Sequence, residues 1–252
     1  MSGDLAALVW DVDGTVAETE RDGHRVAFNA AFAQLGLPWR WDPARYGELL
    51  QVTGGRERLL HDLATRDDAP PAGAEREALA RELHARKNAA YADIVAQGGI
   101  AARPGVQRLM AECREAGVAL AVATTTSRSN VEALFASLFG PDWPAGFAAV
   151  VCAEDAPAKK PDPQAYRLVL RRLGLAPAQA FAIEDSPAGL RAARAAGIAC
   201  GVTRSAYFAA AAFEGAAWVQ DDLEQPAPMT LKRLRQALSV TIAASAALAS
   251  KP

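Results

Sequence analysis

The stretch LAALVWDVDGT, residues 5–15, decides the fold. It opens with the apolar run Leu5–Trp10, whose lack of polar alternation is typical of a strand covered on both faces in a parallel sheet. Asp11, Asp13 and Gly14 follow this run directly. Ligands of open parallel sheets bind beyond the carboxyl ends of the strands. The stretch therefore predicts two carboxylates at a ligand-binding crevice, on a turn that the glycine permits.

Further apolar runs extend the predicted sheet toward the C-terminus. Segments with helical spacing lie between these runs, so strands and helices alternate along the chain. Such alternation predicts right-handed crossovers and an α/β fold with a Rossmann-like parallel sheet as its core. The further predicted strands are Val118–Ala123, Ala148–Cys152, Ala180–Ile183 and Ile198–Val202, and the predicted helices are Gly105–Ala116, Asn130–Leu138, Pro163–Leu173 and Pro187–Ala196.

Polar residues mark the starts of three of these helices. Ser129 with Glu132 has the spacing of a capping box. Asp162 and Ser186 each precede a proline, which suits an N-cap residue followed by the first helical position.

Residues 18–97 interrupt the first strand-to-helix connection. They are rich in helical patterns and far longer than an ordinary loop. We expect an inserted helical cap at 18–97, with hinges near Val16–Thr19 and Gly98–Pro104, on an α/β catalytic core formed by 1–17 and 98–225. Residues 226–252 are expected to form a C-terminal helix or a tail.

Composition excludes several classes of partner. The chain has 252 residues and a net charge of −2, and it lacks the basic stripe of a nucleic-acid-binding protein. No apolar run reaches the roughly 18–20 residues of a membrane span. The N-terminus lacks a signal-peptide pattern, and Cys113, Cys152 and Cys200 are too scattered for a disulfide framework or a metal site. We therefore expect a cytoplasmic monomer with reduced thiols.

The pair of aspartates suits phosphoryl transfer. One carboxylate, Asp11, can act as a nucleophile and form an aspartyl-phosphate. The other, Asp13, can protonate the leaving oxygen and later take a proton from water. A solvated acidic turn is the alternative for a lone Asp-x-Asp pattern, but Asp-x-Asp-Gly-Thr after a first buried strand is more specific.

Three other strand ends carry matching groups. Thr124 and Thr125 can hold phosphoryl oxygens through hydroxyl and backbone N–H groups, although strand propensity and helix capping also explain threonines there. A lysine of the sequence Lys159-Lys160-Pro161 can offset anionic charge, unless both lysines are merely solvated. Glu184 and Asp185 either start a helix or, together with Asp11 and the backbone carbonyl of Asp13, bind Mg²⁺.

These four motifs, in this order, resemble those of the haloacid dehalogenase superfamily of phosphatases. The resemblance covers residues from about 4 to 220 and implies the haloacid dehalogenase fold with Mg²⁺ as cofactor. It implies roles for the residues that match the motifs. Asp11 is the implied nucleophile, Asp13 the general acid and base, Thr124 the phosphate-binding hydroxyl and Lys160, before the proline, the conserved lysine, with Asp11, Asp13, Glu184 and Asp185 at the metal.

The helical insert resembles the cap of the β-phosphoglucomutase-like subgroup, and several segments resemble the CbbY phosphatases of carbon-fixing bacteria. These segments are DVDGTVAETE at 11–20, HRVAFNAAF at 24–32, WRWD at 39–42, TGGRERL at 53–59 and AVATTTS at 121–127. The resemblance implies hydrolysis of xylulose-1,5-bisphosphate, a Rubisco inhibitor, in support of the Calvin cycle. Residue 56 is an arginine where the resemblance leads us to expect a lysine. A guanidinium can bind phosphate through two N–H groups, whereas a lysine ammonium acts as a point charge.

A small sugar bisphosphate needs cations for its second phosphate, and the cap is the expected source. The glycine-rich turn Thr53-Gly54-Gly55-Arg56 leads into a helix and can bind an anion, although a plain turn between helices is the alternative. The remaining predicted substrate-binding residues are His24 and Lys87 in the cap, Glu18 near the hinge, and Thr125, Ser127 and Asn130 beside the second motif. A hydrogen-bonded helix histidine is the alternative for His24, and helix capping is the alternative for Ser127 and Asn130.

Other functions remain open at this stage. A phosphosugar mutase of the β-phosphoglucomutase type shares the first half-reaction, and a phosphoglycolate phosphatase needs fewer cap cations. A non-catalytic phosphate-sensing module is the alternative outside enzymes, but a binder has no need of the intact nucleophile Asp11.

Overall fold

The computed structural model describes residues 4–249 of the chain. Its centre is a parallel sheet in the order β3-β2-β1-β4-β5-β6, so the first strand lies in the middle. Parallel strands covered on both faces require the apolar runs found in the sequence. The strands are β1 Ala7–Trp10, β2 Ala119–Ala123, β3 Ala149–Val151, β4 Ala180–Glu184, β5 Ala199–Thr203 and β6 Val219–Gln220.

Successive residues of β1 serve opposite faces of the sheet, as the period of a strand requires. Leu8 and Trp10 belong to the apolar core on one face, and Val9 belongs to the core on the other. Helices cover both faces. They are α5 Val106–Glu115, α6 Arg128–Phe139, α7 Gln164–Leu173, α8 Pro187–Ala195 and α9 Leu231–Ala249, numbered after the four α-helices of the insert. The predicted α/β class and Rossmann-like parallel core are confirmed.

The register of the central strands places the four motifs at one edge. Trp10 of β1 lies beside Val122 of β2 and Ile183 of β4. The three strands therefore end at nearly the same level along the sheet, which brings the residues after Trp10, Ala123 and Ile183 together.

Residues 18–97 fold as helices around an apolar core of their own. The ring of Phe28 lies 4.7 Å from that of Trp41, and Tyr46 and Leu59 are buried in the same cluster. Ala17 pairs with Ala102, so the two chain crossings between sheet and insert run side by side. The helices are a π-helix Glu20–His24, α1 Arg25–Gln34, α2 Pro43–Leu49, α3 Gly55–Ala64 and α4 Ala74–Ala96.

Local signals were only partly correct. Ser186 accepts a hydrogen bond from the Gly189 N–H at 3.1 Å, as predicted for an N-cap. The capping box at Ser129 is wrong, because α6 begins at Arg128 with Ser127 before it. Asp162 accepts from the Gln164 N–H at 2.8 Å, but Pro163 rather than Asp162 directly precedes α7. Strand β6 was missed, because two residues make no apolar run.

The C-terminal segment forms α9, whose first half packs on the sheet. Leu231, Leu234 and Leu238 are buried in the main core, and the Leu231 N–H donates to Glu112 at 2.8 Å. Among residues 4–249, no helix combines the length and the apolar character needed to cross a membrane.

Candidate active site

The carboxyl ends of β1 and β4 meet around a buried lysine. Lys160 Nζ lies 2.6 Å from Asp11 Oδ1 and 2.6 Å from Glu184 Oε1. Burial alone would lower the pKa of Lys160, but Asp11 and Glu184 raise it above its ordinary value, so the lysine is a cation. The structure thus separates the two adjacent lysines, because Lys159 points away and donates to the Ala153 carbonyl at 3.2 Å.

Asp11 is held in place by two donors. The hydroxyl of Thr15 donates to Asp11 Oδ2 at 3.1 Å, on the side away from Lys160. Burial and the nearby Glu184 raise the pKa of Asp11 to about 7, against the lowering effect of Lys160. The carboxylate is therefore poorly neutralised by protein groups alone and gains from a further cation.

Asp13 has the opposite electrostatic environment. Oδ1 of Asp13 accepts from the Thr19 hydroxyl at 2.6 Å and lies 2.9 Å from His24 Nε2. Burial disfavours its charge, but His24 and Thr19 outweigh that effect and lower the pKa of Asp13 to about 2. Two aspartates separated by one residue thus have pKa values on opposite sides of the ordinary one, which is typical of residues with different tasks.

Glu184 is fully buried and accepts two hydrogen bonds on one oxygen. Besides Lys160, the hydroxyl of Tyr166 donates to Glu184 Oε1 at 2.5 Å. Gly189 makes room for this carboxylate, since a Cβ there would lie 1.9 Å from Glu184 Oε2. Glu184 therefore holds Lys160 in place. Helix α8 can pack against this carboxylate only because residue 189 is a glycine.

The acidic cluster fits a hard divalent cation. Oxygen atoms of Asp11, Glu184 and Asp185 lie within 4.8 Å of one another, and all three residues are buried. Burial, Asp11 and Glu184 raise the pKa of Asp185, and Ser205 and Lys160 oppose this only in part. Carboxylate oxygens in such a cluster are the ligands that Mg²⁺ prefers. Gly14 is required beside them, since a Cβ there would lie 2.1 Å from Asp185 Oδ2.

A cleft with two lobes lies between the sheet edge and the helical insert. The inner lobe, about 70 Å³, is lined by Asp11, Asp13, Lys160, Asp185 and Thr124. The outer lobe, about 280 Å³, lies next to it. Thr125, Gly54, Asp13, Glu20 and Arg58 line both lobes, so the two are continuous.

The outer lobe is rich in cations from both parts of the chain. The insert contributes the cations Arg56, Arg58 and Lys87 as well as the imidazole of His84, and the core contributes Lys159. Burial, with help from Lys87, lowers the pKa of His84 to about 4, so its imidazole is neutral near pH 7.

Lys87 is the most unusual of these cations. It is 3% exposed, and its Nζ lies over the rings of Phe28 and Tyr91 at 5.3 and 5.2 Å. No carboxylate within residues 4–249 forms an ion pair with it at 4 Å or less. Burial lowers the pKa of Lys87 to about 8, although Asp13 partly opposes this. A buried ammonium without a close carboxylate is a favourable place for an anionic ligand.

Most of the predicted site residues line the cleft. Thr53 lies in the inner lobe, and His24, Gly55, Arg56, Ser127 and Asn130 lie in the outer lobe. Arg56 is half-exposed and forms an ion pair with Glu77. Glu18 lines neither lobe. Its carboxylate accepts from the Ala206 N–H at 3.2 Å, at the hinge.

Sequence reasoning missed several cleft residues. Glu20 accepts from the Tyr46 hydroxyl at 2.5 Å, and Arg58 Nη1 donates to the same hydroxyl at 2.7 Å. Arg58 and Tyr46 are buried, so this network fixes Glu20 in the cleft. Nearness in the sequence was the available signal, because Arg58 lies two residues after Arg56 in the first turn of α3 and both line the outer lobe.

Comparison with known proteins gives the same picture. Residues 5–197 match the model of the haloacid dehalogenase-like hydrolases. The plasmid-borne CbbY protein of Cupriavidus necator is 48% identical over 223 residues, covering 88% of this chain and 87% of that protein. The crystal structure of CbbY from Rhodobacter sphaeroides with phosphate has a TM-score of 0.84 and 42% identity, covering 91% and 99% of the two chains.

A mutant of that Rhodobacter protein was solved in complex with xylulose-(1,5)bisphosphate. It has a TM-score of 0.84 and 41% identity, with the same coverage of 91% and 99%. The chain therefore belongs to the haloacid dehalogenase-like hydrolases and, within them, to the CbbY group. As a member of that group it is a sugar-phosphate phosphatase, as the sequence predicted.

Proposed function

We propose that the protein is a Mg²⁺-dependent phosphatase of xylulose-1,5-bisphosphate that works through an aspartyl-phosphate on Asp11. The observation that carries this proposal is the two-lobed cleft, with a nucleophile and a lysine in the inner lobe and several cations, among them the buried Lys87, in the outer lobe. A sugar bisphosphate has an anionic group for each lobe. The bisphosphate bound to the Rhodobacter relative supports the choice of substrate.

In the first step Asp11 attacks the phosphorus in line and the sugar oxygen leaves. Lys160, 2.6 Å from Asp11, offsets the charge that attacker and phosphoryl group bring together. The hydroxyl of Thr124 and nearby N–H groups bind the phosphoryl oxygens. Bound magnesium would be held by Asp11, Asp185 and the Asp13 carbonyl, near Glu184, and would supply further neutralisation of the transferring group.

Asp13 moves the protons. In the resting site it is an anion hydrogen-bonded by Thr19 and facing His24, and entry of a phosphate dianion favours its protonation. It then protonates the leaving sugar oxygen and, in the second step, takes a proton from the water that hydrolyses the aspartyl-phosphate.

The outer lobe binds the second phosphate. Lys87 and Arg56 from the insert face Lys159, Ser127 and Asn130 from the core across this lobe. Binding therefore draws the insert and the core together and excludes water from the inner lobe. A phosphoglycolate substrate has only a carboxylate near its phosphate and would leave much of this lobe unused.

The test is phosphate release with magnesium from xylulose-1,5-bisphosphate, ribulose-1,5-bisphosphate, β-glucose-1-phosphate and phosphoglycolate. We expect strong preference for the first, with Asp11→Asn as the inactive control. Better turnover of another substrate would overturn the substrate assignment and keep the mechanism. Activity that survives in Asp11→Asn would overturn the mechanism.

A phosphosugar mutase is distinguished by the fate of the phosphoryl group. A phosphatase releases one phosphate for each sugar bisphosphate consumed, whereas a mutase returns the group to a sugar. Stoichiometric phosphate release therefore excludes a pure mutase, and any metal-dependent release excludes a mere phosphate sensor.

A further inference from the structure

Arg103 is a buried arginine that lies outside the cleft. Its guanidinium crosslinks three segments that converge behind the first motif. Nη1 donates to the Gly14 carbonyl and, at 3.3 Å, to the Thr203 carbonyl. Nη2 donates to the Arg204 carbonyl at 2.5 Å and to the Asp221 carbonyl at 2.6 Å.

Carboxylates do not account for this placement. Glu18, with Oε1 3.7 Å from Arg103 Nε, is the one carboxylate that forms an ion pair with Arg103 in the described part of the chain. The guanidinium instead donates to several backbone carbonyls. Only a planar group with several fixed N–H directions can donate to all of these carbonyls at once. Burying such a charge is costly, so its position needs a reason beyond chain packing.

The Gly14 peptide directly follows Asp13, in a turn where the N–H groups of Thr15 and Val16 donate to the Val12 carbonyl at 3.2 and 2.9 Å. Gly14 has a φ of +85°, and its N–H donates to the Ala17 carbonyl at 2.8 Å, which closes a tight turn. The Arg103 N–H donates to the Val16 carbonyl of the same turn at 2.8 Å. The main chain and the side chain of Arg103 thus hold both ends of the turn that carries Asp13.

We propose that Arg103 is a positioning residue, which sets the reach of the Asp13 carboxyl to the leaving oxygen by fixing the Asp13–Val16 turn. The inference rests on the proton-transfer role proposed for Asp13. Loss of the guanidinium lets the turn shift and misplaces the Asp13 carboxyl. A misplaced acid slows the reaction most for a poor leaving group, because such a group must be protonated as it departs.

The test is a series of substituted phenyl phosphates, from nitrophenyl phosphate to phenyl phosphate, with wild type, Arg103→Lys and Arg103→Met. These substrates share size and lack a second phosphate, so they separate proton transfer from outer-lobe binding. We expect kcat/KM of Arg103→Met to fall about tenfold more for phenyl phosphate than for nitrophenyl phosphate, with Arg103→Lys between it and wild type.

Arg108→Met is the matched control. Arg108 also bridges backbone carbonyls, donating to Leu223 at 3.0 Å and Met229 at 3.2 Å, but it does not contact the first motif. Its loss should lower kcat/KM, if at all, by the same factor for every leaving group. If Arg103→Met does not fold, Arg103→Lys decides.

Asp13→Asn separates the two proposals. The kcat/KM of Asp13→Asn should depend on the leaving group more steeply than that of any Arg103 variant. If Asp13→Asn shows no such dependence, the role of Asp13 is wrong. If Asp13→Asn shows it while the folded Arg103 variants lose activity equally for all leaving groups, the positioning role of Arg103 is overturned.

Discussion

Lys160 and Asp11 form a buried ion pair across 149 positions of sequence, with 2.6 Å between Nζ and Oδ1. The pair ties the loop after β3 to the end of β1, so the same contact supports both the site and the fold. Removing the lysine leaves Asp11 and Glu184 as buried carboxylates without another ion-pair partner among residues 4–249.

We expect Lys160→Met to lose activity by about a thousandfold and to lose about 3 kcal/mol of unfolding free energy, as for a broken buried pair. Steady-state kinetics and urea unfolding without magnesium measure the two effects. The neighbouring Lys159→Met is the control, because the one hydrogen bond that Lys159 Nζ donates within the described part of the chain goes to a backbone carbonyl. The stability of this variant should stay within about 0.5 kcal/mol of wild type. Equal destabilisation by the two variants would contradict the assigned contacts.

Lys87 should make kcat/KM fall at alkaline pH, and the size of this fall should depend on the substrate. The pKa of Lys87 is lowered to about 8, so the free enzyme loses this cation as the pH rises through that value. We expect kcat/KM for the bisphosphate to fall above about pH 8, whereas kcat/KM for nitrophenyl phosphate, which lacks a second phosphate, falls less.

Lys87→Arg tests this assignment, since arginine keeps its charge throughout the range. The variant should lose the limb near about pH 8 and keep measurable activity on the bisphosphate. A limb that stays at the same pH in Lys87→Arg would assign it to another group.

Asp185 should be unfavourable for folding without metal and favourable with it. Burial and two neighbouring carboxylates raise its pKa, so Asp185→Asn should leave the metal-free protein as stable as wild type or more stable. On the proposed function, magnesium binds the folded state only and should add about 2.7 kcal/mol at a hundred times its Kd in wild type. Thermal melts with and without magnesium measure this. A shift of the same size in Asp185→Asn would remove Asp185 from the metal site.

Gly189→Ala should disrupt the site from outside the cleft. Its Cβ would lie 1.9 Å from Glu184 Oε2, and the carboxylate that holds Lys160 must move. We expect a loss of about 2 kcal/mol or more in unfolding free energy, together with loss of activity. Gly99→Ala, which meets only one atom at 3.9 Å, should change stability by no more than about 0.5 kcal/mol. Wild-type activity in Gly189→Ala would mean that Glu184 is free to move.

The sequence alone predicted those features that follow from short-range pattern. Apolar runs located five strands, and the parallel register then forced Asp11 and Glu184 to one edge. Side-chain direction within the insert was harder. Glu18 and Glu20 are two residues apart, and only the π-helix that begins at Glu20 decides which faces the cleft. The hydrogen bond between Arg58 and Tyr46 likewise could not be predicted, because it depends on how α2 and α3 pack against each other.

The pairing of Ala17 with Ala102 has a mechanical consequence. Backbone pairing joins the two crossings between the sheet and the insert, so they form one hinge and not two separate connections. The outer lobe takes one wall from each side of this hinge. On the proposed function, the second phosphate of the bisphosphate then acts as a measure of length, because a ligand must span both lobes to touch both walls while its first phosphate reaches Asp11.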